Sequence, residues 1–230
     1  MDITERYDVR VEAAPEPGPL SRWLWIVKWL LLIPHYVVLF FLGIGFVVVT
    51  VVAFLAILVT GRYPRPLFGY AVGVLRWSWR VSYYGYGALG TDRYPPFTLA
   101  DVPDYPARFD VAYPERLSRG LVLVKWWLLA LPHYLILGLF TGATLAVGSR
   151  AGEGRSATLP GLLDVVVLFA AVALLFTARY PRGLYDLALG IDRWMLRVVA
   201  YATLLTDRYP PFRLDQGGPD RAPRVSAGSG

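Results

Sequence analysis

The sequence predicts an all-α integral membrane protein built by tandem duplication, each copy a transmembrane helical hairpin followed by an amphipathic interfacial helix, with short β-strands on the aqueous side. Three observations predict it. The blocks Ser21-Arg22, Lys28-Trp29, Pro34-His35-Tyr36, Arg62-Tyr63-Pro64-Arg65 and Thr91-Asp92-Arg93-Tyr94-Pro95-Pro96-Phe97 return in order as Ser118-Arg119, Lys125-Trp126, Pro132-His133-Tyr134, Arg179-Tyr180-Pro181-Arg182 and Thr206-Asp207-Arg208-Tyr209-Pro210-Pro211-Phe212. A period near a hundred residues is too long for a solenoid and fits two units packed about a pseudo-two-fold axis. Each copy carries apolar runs longer than a bilayer crossing. Finally, 56% of the chain is hydrophobic and 17% charged, with eight Trp and fifteen Tyr, a balance suited to a membrane protein with aromatic belts rather than to a soluble domain.

The elements follow in order. Residues 1–100 form the first repeat, 101–214 the second, and 215–230, rich in Gly, Pro and Ser, a disordered tail. In the first repeat Ser21 is a candidate N-cap, and the run from Leu20 is apolar apart from Ser21, Arg22, Lys28 and His35 until Gly43-Ile44-Gly45. A break at those glycines makes residues 20–61 a hairpin; taken alone, this stretch also fits an interfacial helix followed by one long span. The second copy, about 118–178, favours the hairpin, because the polar insertion Gly148 to Ser156 cannot lie unshielded in hydrocarbon. The run near residue 20 lacks a cleavage pattern and has a duplicate, so it does not read as a signal peptide.

Arginine and lysine cluster at the hairpin ends (Arg22, Lys28, Arg62, Arg65; Arg116, Arg119, Lys125, Arg179, Arg182), whereas the tips carry only Arg150 and Arg155. The positive-inside tendency then places both termini on the cytoplasmic side of a bacterial plasma membrane. After each hairpin, residues 65–89 and 182–205 read as amphipathic helices. Arg182, Asp186, Arg193 and Arg197 share one stripe, repeated by Arg65, Arg76 and Arg80, while Trp and Tyr crowd the first copy's other face. Lying such a helix in the headgroup plane avoids placing arginines at mid-bilayer, the cost of making it a third span. The closing boxes, 91–97 and 206–212, end any helix at their proline pair. Strands are expected at Phe97–Leu99 and Phe212–Leu214, with Phe109–Ala112 and Tyr7–Val11 completing a small cytoplasmic sheet.

These repeated boxes, joined by Asp104-Tyr105-Pro106-Ala107-Arg108, closely resemble a bacterial, largely actinobacterial, membrane family catalogued as domain of unknown function forty-three eighty-nine, over nearly the whole chain. The resemblance implies topology and membrane location and brings no activity or catalytic residues.

The residues themselves offer little chemistry. With no Cys, thiolate metal sites and disulfides are excluded; no HExxH, GxSxG or nucleotide loop is present, so no enzymatic role, catalytic residue, cofactor or metal is expected. Arg76, Arg80, Arg193 and Arg197 are candidates for anionic lipid headgroups, weighed against a role as topological anchors. Lys28 and Lys125 are further headgroup candidates, with snorkelling to the surface as the plainer reading. His35 and His133 could face one another to bind haem iron or share a proton path, against the simpler role of bonding a carbonyl freed by the adjacent proline. Asp92, Arg93, Tyr94, Asp207, Arg208 and Tyr209 suit charge-assisted turns. The expected role is a scaffold or accessory subunit contacting anionic lipid and a protein partner or second copy of itself, without nucleic acid. The alternative is a small transporter of solute, ion or lipid at the repeat interface, disfavoured for ions because mid-membrane polar residues are scarce.

Overall fold

In the computed structural model, residues 8–14, 20–21, 23–142, 144–147, 155–158, 161–177, 181–212 and 214 are described. The longest element is a helix, α1 (Leu24–Thr60), about 55 Å long at 1.5 Å per residue. It runs straight through Gly43-Ile44-Gly45, so the hairpin expected there is corrected to one helix. A helical glycine costs only about 1 kcal/mol. Gly45 has its own use: Tyr70 stands where a Cβ would project and donates its hydroxyl to Leu42 O at 2.9 Å. The helix starts at Leu24 after Trp23, with no side-chain cap from Ser21, and stops at Gly61, whose φ of 72° supplies the left-handed C-cap. Lys28, Leu32, His35, Ala53 and Ile57 recur at helical spacing as a buried stripe.

Helix α2 (Arg65–Tyr84) enters after Pro64 and returns antiparallel along α1. Tyr70 meets Leu42, Trp77 meets His35 and Gly85 lies against Leu32. It buries Phe68, Ala71, Val72, Trp77, Trp79, Arg80 and Tyr83 among others, and packs between α1 and strand β2 (Ala107–Val111). The interfacial placement expected for 65–89 is therefore corrected to an inner helix ending at Tyr84.

The second repeat builds the same pair with two modifications. Its long helix begins as α3 (Arg119–Val124), capped by Ser118, passes through a π-helical turn, Lys125–Leu129, and continues as α4 (Leu131–Thr141). The spacing from Lys125 to Pro132 is one residue longer than from Lys28 to Pro34, and a π-turn absorbs one extra residue in a helix. The chain then leaves as a two-stranded ribbon, β3 (Thr144–Val147) against β4 (Arg155–Thr158), and resumes as α5 (Leu162–Thr177).

Helix α6 (Arg182–Ala202) shows which way α5 runs. Tyr201 lies beside Lys125, and the Trp194 ring packs on both His133 and Phe140. Arg182 is twelve residues before Trp194, about 18 Å further from Lys125. Since α5 ends just before α6 begins, it extends α4 rather than doubling back. Gly161, against Phe140 and Gly142, marks the joint. The hairpin expected over 118–178 is corrected to an interrupted copy of α1.

The two long helices are antiparallel. Leu117 N–H donates to Gly61 O (2.9 Å) where α1 ends and α3 begins, while Leu20 and Trp25 join the cluster of Leu163 and Leu174 on α5 at the other end. Strand β1 (Val9–Ala13) pairs antiparallel with β2 in a register that is its own inverse: Arg10 faces Asp110, Val11 faces Phe109 and Glu12 faces Arg108. A pseudo-two-fold axis thus passes by Val11 and Phe109, perpendicular to the long helices. The expected strands in 109–112 and 7–11 are seen with shifted bounds, Tyr7 lying outside the described residues. The molecule has three layers: long helices, then α2 and α6, then the ribbon β1–β2. Tyr83 and Tyr185 join the two inner helices hydroxyl to hydroxyl at 2.7 Å.

Candidate functional site

Each repeat folds its box back onto the start of its long helix, and the two latches match atom for atom over much of their length. Lys28 Nζ donates to Thr91 O (2.7 Å), pairs with Asp92 Oδ1 (3.2 Å) and stands 4.5 Å from the Tyr84 ring centroid. Lys125 Nζ does the same with Thr206 O (3.0 Å), Asp207 Oδ1 (2.7 Å) and the Tyr201 ring (5.4 Å). Both lysines are buried, which corrects the snorkelling reading: a desolvated ammonium is tolerated because carboxylate, carbonyl and ring face surround it. The second carboxylate oxygen of each aspartate accepts from a helix-entry amide, Ser21 N–H at 2.5 Å and Ser118 N–H at 2.6 Å. Thr91 and Thr206 accept from the N–H of Arg93 and Arg208, which fixes the turn.

The histidines occupy two separate cages. His35 stacks on Phe97 with centroids 3.9 Å apart and 12° between planes, beside Tyr94, and its Nδ1 accepts from Trp77 Nε1–H at 3.1 Å. His133 stacks on Phe212 (4.3 Å, 19°) with Tyr209 and Trp194 around it. Each imidazole has a box phenylalanine of its own repeat on its face and sits in its own cage, so the two do not face one another. The proline-freed carbonyl is not the partner of His35 either. Tyr94 donates to Leu31 O, and Arg93 donates to Asp104 O and lies over Tyr105. Arg208 pairs with Asp8 at 3.5 Å.

The arginine stripes also point inward. Arg76 donates to Phe109 O (2.9 Å), Leu99 O (3.1 Å) and Asp110 Oδ1 (3.0 Å). Arg80, 1% exposed, donates to Arg76 O, Thr98 O and Ala100 O. Arginine forks thereby take the carbonyls a neighbouring strand would have used, which is why the strand expected at Phe97–Leu99 is absent. The strand expected at Phe212–Leu214 includes Arg213, which lies outside the described residues, and neither Phe212 nor Leu214 is in a strand. Arg193 is buried like Arg80; among the described residues its Nε and Nη1 have no partner. Arg197 is half-buried. Of the free headgroup forks expected here, Arg76 and Arg80 are in this fold internal fasteners, and Arg193 is buried.

Among the described residues, two concavities stand out. A polar cleft of about 360 Å³ on the ribbon sets Arg10, Arg76 and Arg108 against Glu12, Asp101 and Asp110, three charges of each sign. An apolar groove of about 300 Å³ lies between the long helices, lined by Thr50, Val51, Phe54, Trp126, Ala202 and Leu204. Sequence reading missed this groove, which is assembled from three separated segments. The only sequence signal was the extra residue that makes the π-turn beside Trp126.

A family model described as Domain of unknown function (DUF4389) matches residues 22–98 and 159–213. The second match resumes just before the helix that follows the β3–β4 insertion. No curated protein and no solved structure matches.

Proposed function

The chain belongs to the DUF4389 family, a domain of unknown function, and from that premise we propose a non-enzymatic scaffold seated in a membrane surface, its long helices in the lipid and its ribbon turned to water and to partner proteins. Two helices, Leu24–Thr60 and Arg119–Gly138, are long and apolar enough to cross a membrane. The observation that carries the reading is the exposure of α1. Only 11% of its most apolar window is buried, and exposed Trp29, Leu30, Ile33, Val37, Phe40, Phe41, Ile44, Val47, Val51 and Leu55 run along it. A soluble monomer rarely exposes a contiguous apolar patch beyond a few hundred Å², and a core helix would be buried.

Lying in the plane fits better than crossing. Arg76, next to the Trp77 that holds His35, binds β2, so the ribbon lies over the middle of the long helices. Its Arg10, Glu12, Arg108 and Asp110 are exposed. A perpendicular helix would carry these charges to mid-bilayer, at about 2.5–3.5 kcal/mol for each Arg or Asp on the insertion scale. A helix of about 55 Å also exceeds the roughly 30 Å hydrocarbon core. The sidedness expected for hairpin tips has no basis once the hairpins are gone; the bacterial inner membrane and the protein partner remain part of the proposal.

Polarised infrared spectroscopy of the full chain in oriented phosphatidylcholine bilayers tests it. Amide I dichroism is expected to put the mean helix axis near the membrane plane. Helices near the normal would overturn the in-plane reading, and failure to float with vesicles would overturn membrane seating altogether.

A further inference from the structure

We propose that the valley between the end of α1 and the start of the second long helix binds one anionic phospholipid, its acyl chain in the apolar groove and its phosphate held by Arg62, Arg116 and Arg119. The inference rests on the membrane reading and names a ligand for its lipid-facing side.

The groove has the chemistry of a chain site. Val51 and Phe54 of α1 and Trp126 of the π-turn are its walls, and Ala202 and Leu204 close the bottom. Its one hydroxyl, Thr50 Oγ1, donates back to Phe46 O at 2.8 Å. Val51 and Trp126 are about half exposed, which leaves the mouth open on the face turned to lipid. The π-turn that sets the Trp126 wall is the single-residue insertion peculiar to the second repeat, and such bulges are frequent at functional positions.

Charge stands at the end of this valley. Arg119 lies two helical turns before Trp126, seven residues on the same face. The bond from Leu117 N–H to Gly61 O ties Arg116 and Arg119 to Arg62, and the Arg119 guanidinium lies beside Gly61. All three arginines are exposed, against one exposed acid, Glu115, in the same stretch. Among the described residues none of the three forms an ion pair, unlike Arg76 and Arg108. Guanidinium forks match phosphate oxygens, and a cation two turns from an apolar groove reproduces the separation of headgroup from chain. Arg76 and Arg80 offer no such site because backbone carbonyls already occupy them.

The test is competition between phosphatidylglycerol and phosphatidylcholine for the detergent-purified full chain, read as retained lipid by native mass spectrometry, with vesicle flotation in phosphatidylcholine run in parallel. Wild type is expected to retain phosphatidylglycerol in preference. R62Q/R116Q/R119Q should lose that preference at least tenfold, since each basic residue near an anionic headgroup contributes about fivefold. V51W, which narrows the mouth without touching charge, should weaken retention of both lipids. The control R10Q/R108Q removes two ribbon arginines and should change nothing. Equal preference in wild type and the triple variant, or an equal loss in the control, overturns the lipid site while flotation leaves the membrane reading standing. Loss of flotation in wild type removes both.

Discussion

At the scale of single residues, duplication shows which side chains the fold needs. Lys28 with Asp92 and Lys125 with Asp207 solve the same problem twice, a buried ammonium answered by a carboxylate and a threonine carbonyl. Asp192 shows the converse. Its position in the first repeat is Leu75, also buried, yet Asp192 Oδ2 has no partner among the described residues. Burial pushes its carboxyl well above the usual carboxylate range. With the folded pKa above the unfolded one, raising the pH past the ordinary carboxylate range charges the unfolded chain first, so native stability falls as pH rises until the folded pKa is passed. Asp192→Leu is therefore expected to stabilise the protein by about 1–3 kcal/mol at neutral pH and to flatten that slope, as thermal unfolding in detergent at pH 4 and pH 7 would measure. A destabilised variant would mean that the carboxyl has a structural partner.

At the scale of elements, the long helix of the second repeat is α1 with two insertions, a residue in the π-turn and the excursion through β3 and β4. Neither changes the inward stripe, because the π-turn restores the phase of His133 and the excursion leaves and re-enters at adjoining points, Gly142 and Gly161. Joining residue 142 directly to 161 should consequently leave a folded protein. Far-ultraviolet circular dichroism and the melting temperature are expected to stay within a few degrees of wild type. A collapse of cooperative unfolding would show that the excursion holds α4 and α5 in line.

At the scale of the whole molecule, the repeats depend on one another. Strand β1, at the start of the first repeat, pairs with β2, at the start of the second, and Tyr83 meets Tyr185 across the inner helices. Residues 1–100 alone would leave β1 and the Tyr83 face uncovered. The fragment is expected to unfold without a cooperative transition, and co-expression with residues 101–230 to restore one; a cooperative melt of 1–100 by itself would contradict this.

The sequence alone determined the duplication, the apolar character of the long segments, the boxes and the approximate position of the ribbon strands, because each is written in local pattern: repeated blocks, long runs, and alternation such as Arg10-Val11-Glu12 against Arg108-Phe109-Asp110. The tertiary structure decided the rest. Glycines at 43 and 45 suit a turn as well as a helix interior, and only the position of Tyr70, against Gly45, shows a close approach there. An arginine stripe beside aromatics describes an interfacial helix and an inner helix equally well; the backbone carbonyls of Thr98, Leu99, Ala100 and Phe109, which no side-chain pattern reveals, turn Arg76 and Arg80 inward. The groove beside Trp126 likewise exists only once three distant segments meet. Hydropathy records how much apolar surface a chain carries. Which side of a helix keeps that surface exposed, and which cations find their partners inside, depends on contacts between residues far apart in the chain.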